Sequence, residues 1–328
     1  MKKVFKFTGF FFGGLVLLAA AGVIYLKTAL PNVAPAADLN IERTPERIAR
    51  GAYLANSVMV CMDCHTQRDW SIYSGPGKPG MLGAGGELFD EKIGIPGKVY
   101  SRNITPYALG KWTDGEIFRA ITTGVSRDGT PLFPLMPYEN YSHVDKEDIY
   151  AVIAYLRTIP AVPNDVPDHE LDFPLNLIVH TIPKEATFDM PRPAVSDTVN
   201  YGKYLVQIAG CTDCHTPTDA NHKPIAELYL SGGVEIPLPN GVVRTANLTP
   251  SKETGTGNWS REQFVGRFKM YQDSSFHLPA LGPNDLNTIM PWTMYSTMKD
   301  QDLTAIYKYL QTIKPVENQV VKFSKASL

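Results

Sequence analysis

The hydrophobic pattern begins with one long uncharged run and becomes amphipathic after it. Residues 7–26 carry no charge, with three lysines before them and Lys27 directly after them. Helical residues rise about 1.5 Å each, so a run of this length matches the hydrocarbon thickness of a bilayer. The run therefore predicts a transmembrane helix over residues 7–26. The lysines before it favour a cytoplasmic tip at residues 1–6 and export of the rest.

A cleaved signal peptide is the alternative for this segment. Three alanines at residues 19–21 follow a shorter apolar run, as in a small-residue cleavage site. Residues 22–26 continue the apolar run beyond that site, which favours a retained anchor. We therefore expect a single-pass protein of the cytoplasmic membrane with its remaining chain on the outer, periplasmic face.

Amphipathic helices are predicted after this run. Thr44 is typical of an N-cap and Pro45 of the first helical position, so one helix is predicted to begin there. Apolar residues spaced three and four apart predict two further helices, at Ile149, Val152, Ile153 and Leu156 and at Leu303, Ile306, Tyr307 and Leu310. Residues 71–97 contain eight glycines and predict irregular structure, while seven prolines in residues 160–193 predict a connection between domains.

Segments of the first half recur in the same order in the second half. The matched pairs are residues 51–54 with 202–205, 61–66 with 211–216, 103–106 with 247–250, 136–138 with 290–292, 154–159 with 308–313, and Trp112 with Trp259. This order indicates a tandem duplication. The prediction is a mostly α protein with two tandem domains after one transmembrane helix. Their bounds are residues 44–160 and 197–315, with a proline-rich connection at 161–196 and a tail at 316–328.

The charge balance limits the classes of partner. The chain has 31 lysines and arginines against 33 aspartates and glutamates, so it lacks the basic excess of a nucleic-acid-binding protein. Its hydrophobic share of 44% is enough for folded cores. Residues 1–27 hold four of the lysines and no acid, so the exported part is mildly acidic and favours partners with a positive patch.

All four cysteines lie in two Cys-x-x-Cys-His motifs. The motif residues are Cys61, Cys64 and His65 in the first half and Cys211, Cys214 and His215 in the second. This spacing is the attachment signature of c-type haem. Two thiols three positions apart reach two vinyl groups of one porphyrin, and the adjacent imidazole becomes the proximal iron ligand. The sequence therefore predicts two covalently bound haem c groups.

Three other uses of the cysteines are less compatible with the sequence than haem attachment. A structural zinc would need both Cys-x-x-Cys pairs, but these are 147 positions apart, from Cys64 to Cys211, which is far beyond usual zinc-ribbon spacing. A thioredoxin-like redox pair requires a βαβ pattern, which the sequence does not show. An exported disulfide leaves the repeated His65 and His215 without a purpose.

Two methionines are candidates for the distal iron ligand. Met136 follows His65 by 71 residues and Met290 follows His215 by 75 residues, and each is followed by proline and an aromatic residue. A thioether is a soft ligand that favours reduced iron. Filling of an apolar core is the alternative role for these methionines. Their matched positions in the repeat favour ligation.

Neighbouring residues compete less well for that role. Met294 and Met298 follow Met290 closely, and His143 follows Met136, but Thr297 stands at the place of His143 in the second half. We expect His143 to lie at the surface. The histidines without a repeated counterpart are expected to be solvated: His169, His180, His222 and His277.

Other repeated side chains are candidates for haem contacts or for packing. Trp112 and Trp259 could donate indole N–H groups to haem propionates, and Arg102 and Arg244 could supply charge to them. Core packing and plain solvation are the alternatives. The repeated tyrosines of the closing helices, Tyr155 and Tyr309, are expected to pack on the first helix of each half near Gly51 and Gly202.

These blocks together resemble the di-haem c-type cytochromes, which are built of two domains similar to class I cytochrome c. The Asn-Ile/Leu-Thr-Pro, Trp, Met-Pro-aromatic and Tyr-Leu blocks also resemble those of the membrane-attached cytochrome c subunits of bacterial alcohol and gluconate dehydrogenases. The resemblance covers residues 44–315 and implies a mostly helical fold, covalent haem and electron transfer. The best known of those subunits have three haem motifs, whereas this chain has two.

The function expected from these features is electron transfer at the membrane. The donor would be a quinol-oxidising complex or an exported dehydrogenase, and the acceptor a terminal oxidase or a soluble cytochrome. No residue is assigned a catalytic role, because His/Met ligation leaves no open iron position. The alternative is a di-haem enzyme such as a peroxidase or a thiosulfate dehydrogenase, which needs one iron with an open or unusual coordination. A haem-containing sensor would require a signalling domain, and none is recognised.

Overall fold

Helices form most of the regular structure in residues 2–325, which the computed structural model describes, with side chains from residue 7 onward. The helices of the described part are α1 Lys2–Ala29, α2 Pro45–Tyr53, α3 Cys61–Cys64, α4 Pro106–Leu109, α5 Asp114–Thr123, α6 Tyr138–Tyr141, α7 Lys146–Leu156, α8 Leu175–Ile178, α9 Thr198–Ile208, α10 Cys211–His215, α11 Arg261–Lys269, α12 Trp292–Tyr295 and α13 Asp300–Leu310. A π-helical turn at Leu54–Val58 joins α2 to the loop before α3. The prediction of a mostly α chain is confirmed at this level.

The helix α1 is long and apolar enough to cross a membrane. Its candidate span is Phe7–Ala29, and its side chains are not buried by the rest of the protein. Length and composition of this kind suit a membrane anchor or a signal sequence. The expected helix over residues 7–26 is present.

One helix pair in each half forms its framework. In the first half α2 packs on α7, and in the second α9 packs on α13. A Cβ added at Gly51 would overlap the backbone carbonyl oxygen of Ala151, and one added at Gly202 would overlap that of Ala305. Only glycine allows this close approach. The side-chain hydroxyl of Thr44 accepts a hydrogen bond from within the first turn of α2, as predicted from its position before Pro45.

The tyrosines of the closing helices lie against the same glycines. The Cβ atoms of Tyr155 and Tyr309 are 2.9 and 3.0 Å from the positions that a Cβ on Gly51 and Gly202 would occupy. The predicted packing of both tyrosines is therefore confirmed. The repeated glycine and tyrosine are two sides of one helix crossing.

Two small antiparallel sheets lie beside the helices. The first has the order β1 Leu88–Phe89, β2 Gly97–Tyr100, β3 Glu170–Leu171, and the second has the order β4 Glu235–Leu238, β5 Gly241–Arg244, β6 Phe323–Lys325. In the first sheet Leu88 pairs with Tyr100, and Gly97 pairs with Leu171. The third strand of each sheet comes from the chain after the closing helix. The predicted connection and tail therefore each contribute a strand, and residues 71–97 are not wholly irregular.

The buried apolar residues form one continuous cluster. It contains Leu54, Ile149 and Ile153 from the first half and Leu205 and Leu303 from the second, all fully buried. Burial of large aliphatic side chains of this kind contributes about 1.5–3 kcal/mol each. Because the cluster draws on both halves, the halves pack firmly on each other.

Candidate haem sites

The first Cys-x-x-Cys-His motif forms a helical turn with its histidine fixed by the backbone. The Nδ1 atom of His65 donates a hydrogen bond to the carbonyl oxygen of Arg102 over 2.6 Å. A carbonyl can only accept, so this contact keeps the proton on Nδ1 and leaves Nε2 free as a metal ligand. Burial lowers the pKa of His65, which favours the neutral imidazole that a metal requires.

The second motif repeats this geometry. The Nδ1 atom of His215 donates to the carbonyl oxygen of Ala246 over 2.7 Å. Burial lowers the pKa of His215 in the same way. Two imidazoles with the same tautomer, held by the same kind of backbone contact, are therefore presented beside two pairs of thiols.

The four thiols of the two motifs are available for covalent attachment. All of them lie in the described part of the chain and are unpaired. Desolvation raises the pKa of Cys61, Cys64 and Cys211 to about 12 and that of Cys214 to about 11. The free thiols are therefore neutral. Within residues 2–325 no three His, Cys, Asp or Glu side chains are grouped as metal ligands.

Each candidate methionine lies just before a short helix that is hydrogen-bonded to the chain preceding its cysteine motif. Met136 precedes α6 and Met290 precedes α12, and both are half-buried against the core. The hydroxyl of Tyr141 in α6 donates to the carbonyl of Met59, and the hydroxyl of Tyr295 in α12 donates to the carbonyl of Ala209. These carbonyls lie two residues before the first cysteine of each motif. The tyrosines thus tie each methionine segment to the motif of the same half.

The competing residues occupy other environments. Met298 is fully buried in the core, whereas Met294 is half-buried. His143 is partly exposed and donates through Nδ1 to Asp189 over 2.7 Å. The surface position expected for His143 is therefore present.

The predicted propionate contacts have protein partners in this structure. The Arg102 guanidinium bonds the carbonyls of residues 166 and 167 and the Asp168 carboxylate, and the Arg244 guanidinium bonds Glu235 and the segment of β6. Trp112 packs against the core, and Trp259 is 38% exposed. A role of these side chains toward a propionate stays a prediction.

Two asparagines that the sequence analysis did not single out close the loops around the motifs. Asn164 donates to the carbonyls of Ala84 and Gly85, and Asn318 donates to those of Ser231 and Gly232. Asn164 and Asn318 are 154 positions apart, which equals the offset between the closing helices. Continuing the repeat past residue 160 would have found them.

One expectation for the unmatched histidines is wrong. His169 is half-buried and accepts a hydrogen bond from the backbone N–H of Tyr100, and His180 is half-buried and bonds the carbonyl of Leu30. Both lie on the connection between the halves, which is therefore held against the segments around Tyr100 and Leu30 and is not fully exposed to solvent. His222 and His277 are exposed, as expected.

The halves face each other across reciprocal hydrogen bonds. The Tyr53 hydroxyl donates to the Asp302 carboxylate over 2.5 Å, and the Tyr204 hydroxyl donates to the Asp148 carboxylate over 2.7 Å. The two tyrosines are matched positions of the repeat, and so are the two aspartates. This reciprocity has the form of an isologous two-fold interface.

The cysteine motifs lie next to this interface. Asn140 of the first half donates to Asp213, inside the second motif, over 2.5 Å and accepts from Gln207 over 2.9 Å. On the other side the Thr297 hydroxyl donates to the Ser57 hydroxyl over 2.6 Å.

Comparison with known proteins agrees with this site chemistry. No protein-family model matches the chain. The chain is 30% identical to the fructose dehydrogenase cytochrome subunit of Gluconobacter japonicus, over 87% of this chain and 58% of that subunit. It is 31% identical to the cytochrome c subunit of the quinone alcohol dehydrogenase of Komagataeibacter europaeus, over 91% of this chain and 61% of that subunit. It is 28% identical to a diheme cytochrome c-type protein of Cereibacter sphaeroides, over 78% of this chain and 83% of that protein.

These relatives define the class of protein to which the chain is similar. The chain spans about three fifths of the length of the two dehydrogenase subunits. The resemblance to cytochrome c subunits and to a dihaem c-type cytochrome is confirmed. Relatives of this kind imply covalently bound haem c and support an electron-transfer cytochrome.

Proposed function

We propose that the chain is a membrane-anchored di-haem c-type cytochrome that carries electrons between redox proteins. The observation that carries this proposal is the repeated site. In each half, two neutral unpaired thiols stand beside an imidazole whose Nδ1 proton is held by a backbone carbonyl. When bound, haem supplies a reversible one-electron couple at its iron.

The covalent attachment is assigned residue by residue. Cys61 and Cys64 would hold the first haem and Cys211 and Cys214 the second. The proximal ligands would be the adjacent histidines of the motifs. Burial and the fixed tautomer support this role, because an iron ligand must be neutral and correctly oriented before it binds.

Met136 and Met290 are proposed as the distal ligands. Their support is the matched turn before α6 and α12, in which the methionine carbonyl accepts from the backbone N–H two residues later over 2.8 Å in both halves. Ligation by both histidine and methionine would close both irons to substrates. This favours electron transfer between proteins over the enzyme alternative.

Two cytochrome c-like domains would each enclose one haem. The proposed cores are residues 44–160 and 197–315, and the strand pairing supports extending them through β3 and β6. The reciprocal interface supports electron exchange between the two haems inside one molecule, since both motifs lie beside it.

The proposed partners are redox proteins at the membrane. Relatives named as cytochrome subunits of fructose, alcohol and gluconate dehydrogenases support an exported dehydrogenase as the donor, with a quinol-oxidising complex as the other candidate. A terminal oxidase or a soluble cytochrome would be the acceptor. The helix α1 would anchor the protein in the cytoplasmic membrane with both haems on the periplasmic side.

Mass spectrometry of the intact protein tests the attachment and the anchor together. We expect the full chain, with residues 1–27 retained, to carry two haems. The double variants Cys61→Ala/Cys64→Ala and Cys211→Ala/Cys214→Ala should each carry one. A chain that carries no covalent haem would overturn the function, whereas a chain that begins near residue 22 would overturn only the anchor.

A further inference from the structure

A loop of the first half lies directly on the segment that carries Met290. The backbone N–H of Tyr73 donates to the carbonyl of Pro279 over 3.0 Å, and the N–H of Leu281 donates to the carbonyl of Ser71 over 2.8 Å. These bonds form an antiparallel bridge between the two halves. The methionine segment of the second half is therefore held partly by residues of the first.

Ser74 forms the innermost contact of this loop. Its hydroxyl donates to the carbonyl oxygen of Met290 over 2.6 Å, and its backbone N–H donates to the side-chain oxygen of Asn287 over 3.0 Å. The backbone N–H of Trp292 lies 3.4 Å from the same hydroxyl. Ser74 is completely buried, so water cannot replace these bonds.

The backbone of Ser74 is held in an unfavourable conformation. Its φ of +66° lies in the left-handed region, which costs most side chains free energy and favours glycine. Arg68 stabilises this turn, because its guanidinium donates to the carbonyls of Ser74 and Gly75 over 2.7 and 2.8 Å. A strained residue that is bonded on every side is a common feature of functional positions.

The same arginine reaches the first cysteine motif. Arg68 forms a buried ion pair with Asp63, which lies between Cys61 and Cys64, at 2.8 Å. An unbroken chain of buried polar contacts therefore runs from the first motif through Arg68 and Ser74 to the backbone of Met290.

This arrangement belongs to one half only. Among the hydrogen bonds of the described residues, the carbonyl of Met136 accepts only from the N–H of Tyr138, and none of its hydrogen bonds comes from the second half. Thr218 stands at the position of Arg68 in the repeat. The two candidate distal ligands are thus supported differently.

We propose that Ser74 is a positioning residue for Met290, through which the first haem-binding half fixes the distal ligand of the second haem. This proposal rests on the proposed ligation by Met290. Loss of the hydroxyl bond would leave the Met290 carbonyl with only the backbone N–H of Trp292 as a donor, and without the tie to the first half its thioether could move away from the iron. Because methionine ligation raises the reduction potential, the second haem would then become harder to reduce while the first stays unchanged.

Ser74→Ala and Ser74→Gly in the full-length haem-loaded protein test this role. Both variants lack the hydroxyl, but glycine relieves the strain at positive φ, so a folded variant is secured. The matched control is Ser57→Ala, which removes another buried serine hydroxyl that bonds across the halves without touching Met290. The readouts are the sulfur-to-iron charge-transfer absorption of the oxidised protein and a potentiometric titration of both haems.

We expect both Ser74 variants to weaken or shift about half of the charge-transfer absorption and to lower one of the two potentials. The Ser57 control should keep both signals. If both Ser74 variants keep the full absorption and both potentials, the positioning role is wrong. Met290→Ala separates the two proposals: if it also leaves the absorption intact, the ligation by Met290 is wrong, and the role of Ser74 is wrong with it.

Discussion

Removal of the Tyr53 hydroxyl at the interface should destabilise the protein far more than removal of the matched Tyr204 hydroxyl. Asp302 is buried, and its Oδ2 atom accepts from the Tyr53 hydroxyl over 2.5 Å, while its Oδ1 atom is buried without a hydrogen-bond partner. Tyr53→Phe would leave this carboxylate with no side-chain partner. The matched Asp148 differs, because it also bonds Arg50 through both oxygens and pairs with Arg192.

The magnitude follows from this difference. A hydrogen bond to a charged group contributes about 1.5–3 kcal/mol, and a buried group left unpaired adds its desolvation penalty. We therefore expect Tyr53→Phe to lower the free energy of unfolding by about 3 kcal/mol. Tyr204→Phe should lower it by only about 1 kcal/mol, because two arginines continue to neutralise Asp148.

Denaturant unfolding of the two haem-loaded variants measures these values side by side. The tyrosines are matched positions of the repeat, so each variant is the control for the other. A larger loss for Tyr53→Phe than for Tyr204→Phe supports the reasoning. Equal losses, or a larger loss for Tyr204→Phe, would refute the reasoning. The reasoning is that Asp302 depends on Tyr53 because it is not paired with an arginine, as Asp148 is.

Two further predictions concern packing and pH. Gly51→Ala should destabilise the protein by about 3 kcal/mol, because the added methyl group would overlap the carbonyl of Ala151. Gly266→Ala should stabilise the protein by about 0.5–1 kcal/mol, because its methyl group would meet nothing within 4 Å. Thermal unfolding of both variants checks these values. Burial and the nearby Arg102 lower the pKa of His169 from 6.5 to about 4. Between pH 6.5 and 4 the unfolded chain therefore binds more protons than the folded protein. The free energy of unfolding should fall by about 2 kcal/mol as the pH falls through this range, a value that is reduced for the partial exposure of His169. His169→Asn should remove this loss, and an unchanged pH profile of unfolding would contradict it.

The sequence predicted those parts of the fold that depend on local pattern. The cap at Thr44, the helices that end near Leu156 and Leu310, and the packing of Tyr155 and Tyr309 all follow from spacing along one chain segment. The cysteine motifs also carry their chemistry in a few adjacent residues. Local signals of this kind survive in a single sequence.

The parts that were missed depend on contacts between distant segments. The strands β1 and β3 are two residues long, so no alternating pattern could reveal them. Nothing in the sequence near Tyr53 indicates that its partner is Asp302, 249 positions away. Ser74 carries no motif either, and its role follows only from the loop that brings it to Met290.

The axial ligation of the two irons tests the central claim most directly. Near-infrared magnetic circular dichroism of the purified oxidised protein distinguishes the possible ligand pairs. Two low-spin haems with histidine and methionine ligands are the expected result, and they would support electron transfer by both halves. A high-spin, bis-histidine or thiolate-ligated haem would contradict the matched ligation by Met136 and Met290 and would favour a di-haem enzyme.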